Sequence, residues 1–69
     1  MIKEIVVNEP FHATDGTFVE PGEFTAGDLV NDSTGKEVQL FKRKGYNQTF
    51  KLSAEDLAEH QNKIKEIHY

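Results

Sequence analysis

Glycine-marked turns punctuate most of this chain. Asp15-Gly16, Pro21-Gly22, the polar run Asn31 to Gly35, and Arg43 to Tyr46 with Gly45 recur at intervals too short for packed helices. The segments between them carry β-branched and aromatic residues, the signature of short strands. Ile2 to Val7 reads as a first strand, and Pro10 pushes Glu9 toward extended geometry and ends it. Asp15-Gly16 predicts a tight hairpin with both turn residues at positive φ. Pro21-Gly22 fits a type II turn. Gly27 predicts a bent or bulged strand over Phe24 to Val30. Lys36 to Lys42 alternates, which sets Val38 and Leu40 on one face and Phe41 on the other, free to be exposed. By the same alternation Tyr46 shares a side with Phe50 and Leu52.

The C-terminus reads differently. Ser53 suits an N-cap, Asp56 completes a capping-box spacing, and Leu52 with Leu57 suits a hydrophobic staple. Ala54, Leu57, Ala58, Gln61, Ile64 and either Ile67 or His68 share one helical face. Glu59 and Lys63 pair at i,i+4. A helix from about 54 to 67 follows. The expected fold is therefore α+β but mainly β. It is a small antiparallel SH3-like or OB-like barrel, or a sheet of four to five strands, with one C-terminal helix. Leu57 and Ile64 dock the helix, and five Phe with Val38, Leu40 and Leu52 anchor the core.

Sixty-nine residues make one domain, 1–69, with room for a core of only about 3–5 kcal/mol net stability. The absence of cysteine excludes disulfides and thiolate zinc sites and fits a reducing, cytoplasmic setting. The apolar run Ile5 to Val7 is too short for a signal peptide. No stretch has the length of a membrane span.

Charge is divided sharply. Residues 33–51 hold Lys36, Lys42, Arg43, Lys44 and Lys51 against Glu37 alone, a net of +4 in a chain of net −4. The segment before it carries Glu9, Asp15, Glu20, Glu23, Asp28 and Asp32. Surface charge of opposite signs speaks to partners rather than to fold. Phe41, Lys42, Arg43, Lys44 and Tyr46 place two aromatics beside three cations. That composition suits an interface anchor, or phosphate contacts with base stacking. The sequence favours a protein partner, with nucleic acid as the alternative and a monomer or homodimer as the acting species.

Catalytic signatures are lacking. Asp56 and His60 stand at i,i+4, but two ligands without a third make a poor metal site. Asp28 to Asp32 lacks the spacing of a calcium loop. Ser33 to Glu37 resembles a Walker ending only superficially. Ser33 and Ser53 have no base at recognisable spacing. The expectation is a non-enzyme with no metal and no cofactor. The sequons at Asn31 and Asn47 are chance matches without a secretion signal.

Gly27-Asp28-Leu29-Val30, followed by a polar turn and a hairpin, is similar to a segment of many SH3-like barrels. In size and compactness the chain resembles the small accessory proteins of bacteriophages and mobile elements. That resemblance implies a protein that modulates a host or viral partner.

Overall fold

The computed structural model describes all 69 residues. The chain runs β1 (Ile2–Val7), β2 (Phe11–His12), β3 (Phe18–Val19), β4 (Gly22–Asn31), β5 (Glu37–Arg43), β6 (Thr49–Ser53), α1 (Ala54–Glu59) and β7 (Ile64–His68). Five strands form an antiparallel sheet in the order β6-β5-β4-β1-β7, and β2-β3 is a separate hairpin. The sheet is open, because β6 and β7 lie at its two ends and do not pair. No helix is long and apolar enough to cross a membrane.

Three of the four expected turns keep a left-handed glycine, whereas Gly22, at φ +157°, opens β4 instead of taking the type II position. Gly16, Gly35 and Gly45 all adopt φ near +80°. At Asp15-Gly16, however, only the glycine is left-handed. Gly16 N donates to the Ala13 carbonyl and Ala13 N to the Thr17 carbonyl. This is a longer loop than the expected two-residue turn. The second polar turn is built by Asp32, whose Oδ1 accepts from Thr34 N at 2.9 Å, Thr34 Oγ1 at 2.6 Å and Lys36 N at 3.0 Å. These donors, the Thr34 hydroxyl foremost, hold its carboxyl below the usual carboxylate range.

The bulge expected at Gly27 is present. Ala26 faces Phe41 and Leu29 faces Gln39, so Gly27 and Asp28 together oppose Leu40.

Phe50 is the centre of the core. Its ring lies 5.0 Å from Phe24, 5.4 Å from Phe41 and 6.2 Å from Phe11. Ile5, Val7, Ala13, Val19, Leu52 and Ile64 complete the cluster. Four of the five Phe are therefore anchors, and Phe18 is half exposed. Phe41 is buried, contrary to the exposure that alternation allowed. The alternation itself is correct, and the inward face is the one carrying Phe41. Val38 points the other way and is buried outside this cluster, while Leu40 is only partly covered.

The helix is much shorter than the expected 54–67. It ends at Glu59, and residues from Ile64 form β7, paired with β1 from Val7↔Ile64 to Ile2↔His68. The start is as read: the Ser53 hydroxyl accepts from Asp56 N at 3.2 Å. The reciprocal arm of the capping box is replaced. Thr14 Oγ1 accepts from Ser53 N at 2.9 Å and donates to the Asp56 carboxylate. Past His60, ring-stacked on Phe11 at 4.6 Å, the chain turns back. β1 otherwise has an unpaired side, and Ile64 completes the core beside Val7. Leu57 is only partly buried. A sequence signal for this existed. Ile2-Lys3-Glu4-Ile5 recurs as Ile64-Lys65-Glu66-Ile67, and both copies are strand.

Candidate contact face on the β5–β6 hairpin

In antiparallel strands, residues directly opposite one another share a face. Phe24, Phe41 and Phe50 point inward, so Thr25, Lys42 and Thr49, mutually paired across β4-β5-β6, point outward. Glu4 pairs with Thr25 on the same outer face.

Most of the cationic hairpin is occupied by the protein itself. Arg43 lies across Phe24, its guanidinium 4.5 Å from the ring centroid. Its Nη2 donates to the Glu20 carbonyl at 2.7 Å, Nη1 to the Pro21 carbonyl at 3.1 Å and Nε to Gln48 Oε1 at 3.0 Å. Arg43 therefore clamps the β3–β4 turn onto the core. The absence of a side chain at Gly22 makes room for the guanidinium. Lys44 is ion-paired to Glu4 and, at 3.5 Å, to Glu23. Lys44, donating to its carboxylate, holds Glu4 below the usual carboxylate range, and Glu4 in turn holds the Lys44 ammonium above the usual lysine value. Lys36 meets Glu55 at 4.0 Å.

Lys42 is exposed and makes no ion pair. It stands at the rim of an open depression of about 270 Å³ lined by Gly27, Asp28, Leu40, Phe41, Lys42 and Thr49. The bulge creates this notch. A β-carbon on Gly27 would sit 3.3 Å from Leu40 Cβ, so the missing side chain uncovers the leucine. At the hairpin tip Tyr46 is 66% exposed, although parity with Phe50 had pointed it toward burial. The strand pattern stops at the Gly45 turn, so parity does not carry through it.

Of the five residues singled out from sequence, Lys42 and Tyr46 are free at the surface. Arg43 and Lys44 are engaged internally, and Phe41 is a core residue. Sequence reasoning missed Gly27 and Leu40 as surface features, although Gly27 had marked the bulge.

The histidines do not gather. His12 packs near Phe18, His60 on Phe11, and His68 meets Glu66 at 2.9 Å. No group of three His, Asp or Glu is placed to hold a metal ion. Thr14, Asp15, Asp32, Ser33, Thr34, Val38 and Lys51 line a polar hollow on the side of the β4–β5 turn. Asp32 there already uses Oδ1 to hold the turn's own donors.

Compared with known proteins, the chain matches no family model, no curated protein and no solved structure.

Proposed function

We propose that the protein is a small non-catalytic binding module that docks another protein through the outer face of β4-β5-β6. The observation that carries this reading is the notch over Leu40, opened by the Gly27-Asp28 bulge and rimmed by the unpaired Lys42. An apolar side chain with a carboxylate on the Lys42 side, away from Asp28, fits that combination. Tyr46, exposed at the tip of the same hairpin, supplies an aromatic of the type enriched in interface anchors. The rival ligand, nucleic acid, needs several free cations beside stacking surfaces. Here Arg43 and Lys44 are already satisfied and Phe41 is inside.

A single core draws on both edge strands, Leu52 of β6 and Ile64 of β7. This supports reading the sheet as a small, partly open barrel of SH3-like or OB-like character. A cytoplasmic accessory role of the phage kind is consistent with the size and the lack of cysteine.

The test is partner capture by the intact protein and by two variants. Lys42→Glu reverses the rim charge, and Gly27→Ala fills the notch. Both leave the hydrophobic cluster untouched. The reading expects a stoichiometric partner whose capture drops in each variant and persists with Lys63→Glu, a change in the turn between α1 and β7. Capture that is indifferent to Lys42 and Gly27 but lost with Lys63→Glu would move the interface to the helix side. A salt-sensitive shift with oligonucleotide at ~50 mM salt would establish the rival instead.

A further inference from the structure

The sheet has one uncovered edge. The outer side of β6 is met by the β2–β3 loop, where Thr14 N donates to the Lys51 carbonyl and Thr14 Oγ1 accepts from Ser53 N. β7 pairs with β1 and with nothing on its other side. Asn8 N donates to the Lys63 carbonyl and Tyr69 N to the Met1 carbonyl. Antiparallel alternation then turns the main-chain groups of Lys65 and Ile67 toward β1, and those of Glu66 and His68 outward. Ile64 N also faces out but donates to the Gln61 carbonyl. Of the six exposed large apolar residues, three cluster at this edge: Met1 at 88%, Ile67 at 36% and Tyr69 at 84%.

We propose that β7 pairs antiparallel with β7 of a second copy of this chain, about a two-fold axis at Ile67. Such an axis stands perpendicular to the sheet, so opposed residues must point to the same face. Only registers centred on a residue satisfy this. Centring on Lys65 opposes two lysines, and centring on Glu66 opposes two carboxylates; both are destabilising. Centring on Ile67 joins the two exposed isoleucines and sets Glu66 opposite His68 twice. It also lays each Lys65 stem against a Tyr69 ring. In that register the outward N–H and C=O of Glu66 and His68 satisfy one another, giving four main-chain hydrogen bonds. Exposed apolar side chains and orphan backbone groups thus favour this arrangement over those centred on Lys65 and Glu66.

Sedimentation equilibrium and amide exchange at rising protein concentration test the pairing. The expected mass climbs from one chain to two. The Glu66 and His68 amides slow with concentration, while those of Lys65 and Ile67, already bonded to β1, do not change. His68→Pro removes an outward N–H without touching the β1 ladder, and Ile67→Lys puts two ammoniums at the axis. Each is expected to remain folded and to sediment as one chain. A single-chain mass at every concentration, with Glu66 and His68 exchange unchanged, overturns the proposal. So does association that survives both variants. Protection of these amides by an added extended peptide, without self-association, overturns it in favour of a foreign strand.

Discussion

The two ends of the five-stranded sheet face the same physical problem and treat it in opposite ways. At the β6 end a side-chain hydroxyl substitutes for a missing strand: Thr14 reaches the edge amide of Ser53, bonds Asp56, and ties the β2–β3 loop to the start of α1. At the β7 end the chain places charged residues and leaves the backbone open. The covered edge lies over the aromatic core around Phe50, where water would be most costly. The open edge lies over Ile64, the only core member that β7 contributes. An edge strand is closed by whatever lies across space from it, and its own composition does not reveal which treatment it receives.

Substitutions at the two ends should separate these roles. The largest effect belongs to Phe50→Ala, which empties the site where three other Phe rings converge. It should cost about 3–5 kcal/mol, as much as the whole domain has to spare, and near-ultraviolet circular dichroism should show loss of fixed tertiary packing at 25 °C. If Phe50→Ala unfolds no more readily than a β7 variant such as Ile67→Lys, the asymmetry between the ends does not exist.

Thr14→Val comes next. It removes the acceptor for the buried Ser53 amide and the donor to Asp56. Leaving a buried group unsatisfied costs about 1–3 kcal/mol. Urea denaturation should register that loss, and the Ser53 amide should exchange faster while amides in β7 stay as they were. An unchanged Ser53 exchange rate would mean that the hydroxyl does not guard the edge.

The smaller effect is electrostatic. Glu4 carries a lowered pKa in the folded chain, so its contribution to stability is present above its unfolded value of about 4.3 and fades as pH falls through the folded value. Asp32 behaves the same way. Lys44 is shifted upward, so its contribution is present below about 10.4 and fades as pH rises through the folded value. Glu4→Gln should flatten part of the acid limb of the stability curve and the alkaline limb together, because one pair produces both. Because the pair is partly exposed, added salt should shrink the difference between variant and parent. A Glu4→Gln protein with an unaltered alkaline limb would show that Lys44 relies on Glu23 alone.

The smallest effect is expected at the hairpin tip. Tyr46→Ala should leave the melting temperature nearly unchanged, since the ring is two-thirds exposed. A clear loss of stability would place Tyr46 against the body of the protein and remove it from the proposed contact face.

What the residues by themselves determined was local. Glycines with φ near +80° at Gly16, Gly35 and Gly45 stand where turns were expected, because no other residue adopts that geometry without strain. The bulge at Gly27 and the Ser53 cap were legible for the same reason: each depends on a few neighbouring atoms. What the tertiary structure decided was every feature that required a partner distant in sequence. Ile64 to His68 satisfies a helical spacing and a strand equally well, and the unpaired side of β1 selected the strand. Lys42, Arg43 and Lys44 are three adjacent cations of one composition. Only the positions of Phe24, the Glu20 and Pro21 carbonyls, Glu4 and Glu23 made one a clamp, one half of an ion pair and one free. Charge and apolar pattern state what a side chain can do, and the long-range pairing of strands decides which of those possibilities is already used.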